Sequence, residues 1–296
     1  MIRPALIAAQ AVGVALLAAT PALAQETPAS AAPAAAEWRT VTPENLLVVD
    51  TTKGRILVEL APLAAPKHVE RIRMLAQRGF YDGIVWHRVI DWFMAQTGDP
   101  LGTGEGQSPY PDLEAEFTFR RDSAMPFVPV ARPMGAEVGF INSLPVQTQP
   151  DAAMAQTGDG KVHGWGLYCP GVAGMARGEA NDSANSQFFF MRQAYPALEK
   201  RYTVWGAVVS GLDVVRAIKV GDGDNGAVTS EPDRMVRVRV AADLPEAERP
   251  VVQVLDVRSP TFGTLVEAAR RARGADFSAC DIQLPVQVSG AAAPAA

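Results

Sequence analysis

The chain has 296 residues, of which 48% are hydrophobic and 20% charged, with 25 Gly, 23 Pro and two Cys. This allows one or two domains with a full-sized core and excludes an intrinsically disordered chain, a collagen-like repeat and a small disulfide-stapled scaffold. A net charge of −5 without long basic runs gives no electrostatic footprint for nucleic acid, and three His leave little material for a zinc enzyme.

Residues 1–24 read as a signal peptide. Arg3 supplies a positive start, residues 5–19 are apolar except for Gln10, and Ala22-Leu23-Ala24 offers the small residues of a cleavage site before Gln25. Gln10 and Pro21 interrupt the run short of the roughly 20 apolar residues that a span requires, so no membrane anchor is expected after cleavage. The expected compartment is the periplasm. Residues 25–40 begin as a Pro/Ala-rich stretch and are expected to be a tether.

Residues 46–50 and 55–59 are strand-like runs separated by Thr51-Thr52-Lys53-Gly54, a hairpin signal. A helix follows: Pro66 suits its first turn, Val69, Ile72 and Leu75 or Ala76 recur at helical spacing, and Gly79 can end it. Residues 85–90, 93–96 and 116–119 read as short strands. Residues 120–168 are Pro-rich with no clear periodicity, and are expected to be a long loop insertion on the surface. Residues 171–176, 187–191 and 203–209 again read as strands. Residues 212–220 read as a second helix, with Asp213 near its start and Lys219 near its end as the helix dipole prefers, and 235–240 as a final strand. Many short strands with two distant helices predict a mainly β fold, a closed barrel capped by helices rather than alternating βαβ units.

The domain so outlined runs from 41 to 243. The extension 244–296 offers a Val-rich strand (251–257), a helix (265–272) and another β-like run (282–288). That is too little for its own core, so it is expected to pack on the barrel, with a frayed Ala/Pro end. Cys169 and Cys280 lie on either side of this boundary. They either bridge, as an exported chain permits, or stay as two separate buried thiols.

Several apparent motifs carry no chemistry. Gly102-Thr103-Gly104-Glu105-Gly106 lacks the spacing and the following helix of a dinucleotide loop, and reads as a surface turn. Asp222-Gly223-Asp224-Asn225-Gly226 hints at calcium. An EF-hand count from Asp222, however, puts Ala227 where Gly is needed and Asp233 where Glu is needed, so it reads as an acidic turn. His68, His87 and His163 form no metalloprotease pair, and no Gly-x-Ser-x-Gly elbow exists. Acid–base and nucleophilic hydrolysis have no visible machinery.

What remains is Trp86-His87-Arg88-Val89-Ile90-Asp91-Trp92-Phe93-Met94-Ala95-Gln96-Thr97-Gly98-Asp99-Pro100. If its two strand-like parts pair, alternation can place Arg88, Met94 and Gln96 on one surface, which is either a cleft for a peptide with one apolar side chain or a surface Arg over ordinary core residues. A second segment runs from Gly174-Met175-Ala176-Arg177 through Asn181 and Ser183 to Asn185-Ser186-Gln187-Phe188-Phe189-Phe190, then Leu198, Tyr202, Val204, Trp205 and Gly206. Together these blocks resemble the cyclophilin family of peptidyl-prolyl cis/trans isomerases over about 45–240, excluding the insertion.

The resemblance implies an eight-stranded antiparallel closed β-barrel capped by two α-helices. By position, Arg88 corresponds to the family's catalytic arginine. Phe93, Met94, Phe189 and Leu198 correspond to its proline pocket, Gln96 to the residue that hydrogen-bonds substrate backbone, and Ala176 and Arg177 to the edge along which the peptide lies. Three positions depart from the family pattern: Arg177 stands for a frequent Asn, Ala197 for a frequent Trp and Tyr202 for a frequent His. The missing Trp predicts weak cyclosporin binding, and Tyr202 keeps a wall of the pocket aromatic.

Such a reaction is within reach of this residue set. Amide rotation crosses about 18–20 kcal/mol because resonance stiffens the C–N bond, and uncatalysed X–Pro exchange takes tens to hundreds of seconds. No bond is broken, so the reading calls for no metal and no cofactor. The expected partners are proline-containing unfolded or exported polypeptides, the expected state a monomer, and the expected role folding of exported proteins. The alternative is a proline-segment binding module or chaperone on the same barrel with little isomerase activity.

Overall fold

The computed structural model describes residues 32–290. The segment read as a signal peptide, the first part of the tether and the Ala/Pro end lie outside them. In chain order the elements are β1 (Trp38–Thr40), β2 (Leu46–Thr51), β3 (Gly54–Leu60), α1 (Pro66–Gln77), β4 (Arg88–Ile90), β5 (Met94–Thr97), β6 (Phe119–Arg121), β7 (Phe127–Ala131), β8 (Glu137–Ile141), β9 (Leu144–Thr148) and β10 (Val162–Gly166). There follow β11 (Val172–Met175), β12 (Phe188–Met191), β13 (Val204–Ser210), α2 (Leu212–Ala217), β14 (Met235–Val240), β15 (Val251–Leu255), α3 (Pro260–Arg273) and β16 (Val286–Ser289).

Eight of these strands form one antiparallel sheet in the order β14-β2-β3-β13-β11-β12-β5-β4, with the β2–β3 hairpin turning where it was expected. Alternation buries one side of each strand. Leu47 and Val49 of β2, Ile56 and Val58 of β3, and Phe188 and Phe190 of β12 meet Val69, Ile72 and Leu75 of α1 in a core with Trp86 and Trp205. The aromatic rings interlock edge to face, with Phe188 5.4 Å from Trp205 and 5.3 Å from Tyr81. Pro66 opens α1, and Gly79 (φ +66°) follows its end.

The expected barrel is present as a curled sheet, but it is not closed. Its two edges, β4 and β14, share no ladder. Near the seam there is an isolated bridge between Val85 and Arg234, with flanking bonds from Trp86 N–H to Asp233 O (2.9 Å) and from Met235 N–H to Ile84 O (2.9 Å). The reason is local: the free side of β4 is occupied by residues 221–228. Gly221 N–H donates to Val89 O and Val228 N–H to His87 O, both at 2.9 Å, and Ala227 bridges Arg88.

The stretch 120–168 is likewise not a structureless loop. It contains β7–β10 and ends the strand β6, which together make a second antiparallel sheet in the order β6-β10-β9-β8-β7. Arg121, almost fully buried, pins this sheet by donating to Thr148 Oγ1 (3.0 Å), pairing with Asp151 and lying 4.6 Å from the Phe127 ring.

The tether is shorter than expected, because Trp38–Thr40 is a strand. It joins β15 and β16 of the extension in a third sheet, with Trp38 opposite Leu255. This sheet accounts for a feature of β2: the strand is buried on both faces because Leu46 and Val48 pack under Val252 and Val254 while Leu47 and Val49 face the main core. Arg39 locks the layers, donating Nη1 and Nη2 to the two Glu59 oxygens (2.7 and 2.8 Å), while Ser143 of the second sheet donates to the same carboxylate. Phe262 of α3 meets Phe140 edge to face at 5.7 Å. Cys169 and Cys280 form a disulfide, so the first of the two possibilities for the cysteines holds.

Candidate active site

Arg88 lies directly opposite Gln96 in the β4–β5 ladder, and Gln96 lies opposite Phe189 in the β5–β12 ladder. Phe188 and Phe190 face the core, so the alternation of β12 sends Phe189 to the other side. Its ring passes close to β11, where a Cβ on Gly174 would lie 2.6 Å from the Phe189 Cζ; only glycine leaves room. Tyr168 stacks behind Phe189 at 5.9 Å, and Tyr202 meets it edge to face at 6.2 Å.

Around these rings lies a cavity of about 190 Å³ lined by Arg88, Phe93, Met94, Gln96, Ala176, Arg177, Phe189, Leu198 and Tyr202. All nine residues picked from the sequence therefore meet in one place. Met94, Phe189 and Leu198 are buried and form an apolar floor, whereas Arg88, Gln96, Arg177 and Tyr202 are half-buried at the walls. Leu198 comes from a single 3-10 turn, Pro196–Leu198, and Ala197 within it is exposed, so position 197 brings no indole to the pit.

The Arg88 guanidinium is held on three sides. Nε donates to Asn225 O (2.9 Å), Nη2 to Asn225 Oδ1 (3.0 Å) and Nη1 to Gln96 Oε1 (3.1 Å). A guanidinium has five N–H donors, so two remain without an acceptor among the described residues. Burial pulls the Arg88 pKa below its ordinary value, with Tyr202 opposing. It still carries its charge, as an arginine in a protein does.

Gln96 owes its orientation to a relay of amides. Gln187 Nε2 donates to the carbonyls of Gly104 and Gly106, both at 2.9 Å, so its Oε1 is left to accept from Gln96 Nε2 (3.0 Å). That in turn fixes the Gln96 oxygen toward Arg88 and leaves one N–H of its amide free for a ligand. The loop supplying the two carbonyls is wrapped on buried Asp99, whose carboxylate accepts from the N–H groups of Leu101 (2.7 Å), Thr103 (2.8 Å) and Gly104 (2.5 Å). Burial pushes the Asp99 pKa up, but these backbone donors outweigh it and the net shift is downward.

A second, polar cavity of about 280 Å³ adjoins the first and shares Gln96, Ala176 and Arg177 with it. The cleft thus has an apolar pit and a polar arm. Arg177 sits at their junction with its guanidinium 4.6 Å from the Tyr202 ring and bonded to the carbonyls of Gly178 and Arg201.

Sequence reasoning did not anticipate three residues. Asn225 lies in the acidic turn set aside above, at φ +55°, and Gly226 beside it is pressed so closely on β4 that a Cβ would lie 2.3 Å from Ile90 Cγ1. Gln187 stands inside the Asn185-Ser186-Gln187-Phe188-Phe189-Phe190 block, but its contact with Gln96 depends on strand register. Arg192 is buried and donates to Asp91 Oδ1 (2.6 Å) and to the carbonyls of Val215 (3.1 Å), Arg216 (2.8 Å) and Ile218 (3.1 Å). It closes the C-terminal end of α2, a place where the sequence pointed to Lys219, and fastens the β4–β5 turn to it.

Comparison with known proteins agrees with this geometry. Residues 46–240 match the family described as "Cyclophilin type peptidyl-prolyl cis-trans isomerase/CLD". A "Probable peptidyl-prolyl cis-trans isomerase" of Brucella suis is 37% identical over 213 residues, covering 68% of this chain and 85% of the relative. "Peptidyl-prolyl cis-trans isomerase 9" of Schizosaccharomyces pombe is 28% identical over 193 residues, covering 65% of this chain and 25% of that much longer protein. Among solved structures, cyclophilin AquaCyp293 from Hirschia baltica superposes with a TM-score of 0.78 at 33% identity, covering 86% of this chain and 94% of that one.

Proposed function

From the premise that this chain belongs to the cyclophilin-type peptidyl-prolyl cis-trans isomerase family, and is such an isomerase, we propose that it turns X–Pro bonds in exported polypeptides at the Arg88 cleft. One observation carries the assignment of the site: a guanidinium with two uncommitted N–H groups on the wall of an apolar pit large enough for a proline ring.

The pit takes the ring by apolar contact with Phe93, Met94, Phe189 and Leu198. As the amide twists, its nitrogen loses conjugation and becomes pyramidal and basic. An Arg88 N–H then donates to that nitrogen, an interaction absent from the planar ground state, so it lowers the barrier rather than only tightening binding. The planar fork is needed both for this donor and for the two bonds to Asn225, which a lysine cannot reproduce. Gln96 and the Ala176–Arg177 edge hold the backbone on the acyl side of the proline while that side rotates.

The test is an exchange measurement on an Ala-Pro peptide, by protease coupling or by NMR. We expect Arg88→Ala to lower kcat/KM by about 100-fold or more, the scale for one transition-state donor, without loss of fold. Equal rates for the two proteins would overturn the assignment of Arg88.

Export is supported by the apolar, positively started N-terminus and by a disulfide, a bond that persists in oxidising compartments. Fractionation of cells producing the full chain, with N-terminal sequencing of the product, checks it. The protein should leave the cytoplasm and begin at Gln25.

A further inference from the structure

The aromatic lining of the pit does not end at its rim. Trp92 is 65% exposed, the most exposed aromatic side chain of those described among the large hydrophobics, and it stacks on Phe93 with centroids 6.1 Å apart and planes 25° from parallel. Phe93 in turn packs on Tyr195 at 4.6 Å, and Tyr195 lies 6.4 Å from Trp92, so the three rings form one continuous shelf. What sets this indole apart from a lone exposed side chain is that it continues the lining of a ligand pit, where its apolar area is available for a ligand to cover.

The shelf is also rigid. Arg192 donates its N–H to Phe93 O (2.9 Å) and its guanidinium to Asp91, while anchoring on the last carbonyls of α2. Trp92 thus rides on a turn clamped from both sides rather than on a free loop.

Its place relative to the pit fixes what it can meet. Gln96, Ala176 and Arg177 close the pit on the side of the polar arm, and the mechanism above assigns that side to residues preceding the proline. The Trp92–Phe93–Tyr195 shelf lies at the β4–β5 turn, beyond Ile90 and Met94, two ladder steps from the Arg88–Gln96 pair. A chain entering along the polar arm and seating its proline in the pit leaves across this shelf.

We propose that Trp92, with Tyr195, forms a subsite for an aromatic or bulky apolar side chain immediately following the proline, and so sets the sequence preference of the enzyme. This rests on the assignment of the pit to proline made above. Two χ angles and a fixed turn let the indole bind such a side chain with little ordering cost.

The experiment is an NMR titration of two peptides, Ala-Ala-Pro-Phe and Ala-Ala-Pro-Ala, which yields Kd and the exchange rate in the same samples. The intact protein should bind the Phe peptide about tenfold more tightly, the gain for covering part of an aromatic ring. Trp92→Ala should bring the Kd ratio of the two peptides close to one, and Trp92→Phe should keep most of it. A ratio near one in the intact protein, or an unchanged ratio in Trp92→Ala, overturns the subsite. Arg88→Ala separates the two readings. If it abolishes exchange but keeps the Kd ratio, shelf and rotation machinery act independently, and if it leaves exchange intact, the assignment of Arg88 fails while the ratio still reports the shelf.

Discussion

Asn225 takes two hydrogen bonds from the guanidinium of Arg88, one on its main-chain oxygen at 2.9 Å and one on its side-chain oxygen at 3.0 Å. The arginine is thereby held edge-on by a turn that reaches across the free side of β4. Asn225 can do this because it sits in the left-handed region at φ +55°, a conformation that Asn tolerates better than most residues.

Asn225→Gly keeps both that conformation and the main-chain acceptor, and removes only the side-chain bond. Its kcat should fall roughly fivefold, in line with the ~1 kcal/mol of one hydrogen bond, with little change in KM. Asn225→Ala adds backbone strain of roughly 1–2 kcal/mol and should fall further. Steady-state kinetics on an Ala-Pro peptide would show the order; an unchanged kcat in the Gly variant would mean that Arg88 orients without this bond.

Arg192→Ala should be the most destabilising exchange near the site. It strands the carbonyls of Val215 and Ile218 in the buried end of α2, while exposed Asp91 stays solvated, and each buried group left unpaired costs about 1–3 kcal/mol. Denaturant unfolding should show a loss of about 2–4 kcal/mol, the scale for two buried carbonyls left unpaired, and activity at low temperature should fall as the Phe93 turn loosens. A loss below 1 kcal/mol would show that water replaces the guanidinium.

Lowering the pH should release the loop that orients Gln187. Folding lowers the Asp99 pKa from its ordinary 3.8, so the stabilisation is complete above that pH and is lost as pH falls through the lower folded value. Hydrogen exchange of the Leu101, Thr103 and Gly104 amides should therefore accelerate under acid before the sheet unfolds. Asp99→Asn should show fast exchange at neutral pH; slow exchange there would remove the carboxylate from the account.

The Cys169–Cys280 bridge closes a loop across 111 residues of sequence. Replacing both cysteines by Ser should lower stability by about 4–5 kcal/mol, the loop-entropy scale for about 100 residues. Because neither cysteine lines the pit, kcat/KM at 25 °C should change less than twofold. A large loss of activity would link the extension to the cleft.

The site was legible chiefly because its sequence blocks resemble those of the cyclophilin family; alternation alone could only bring Arg88, Met94 and Gln96 to one surface. Arg88, Met94 and Gln96 alternate on a short hairpin, and Phe189 stands between two core phenylalanines. What stayed hidden acts across long sequence distances. Asn225 reaches Arg88 and Arg192 reaches Asp91 only once distant segments are folded together, and a motif judged by its calcium spacing gave no hint of an arginine. The second sheet escaped for a different reason: Pro129 and Pro145 lie inside β7 and β9, and proline is ordinarily a strand breaker. The open seam is likewise invisible in sequence, since β4 and β14 both carry ordinary strand patterns and only the path of 221–228 keeps them apart.

The pairing of β1 with β15 and of β2 with β14 has a consequence for how this protein is made. The first strands to leave the ribosome find their outer partners only when almost the whole described chain has followed. The strands of the cleft, from β4 to β12, are complete well before that. A chain arrested midway would carry a formed hairpin bearing Arg88, yet expose the uncovered face of β2, an apolar surface open to misassembly. An enzyme that turns X–Pro bonds is thus itself committed to finishing late.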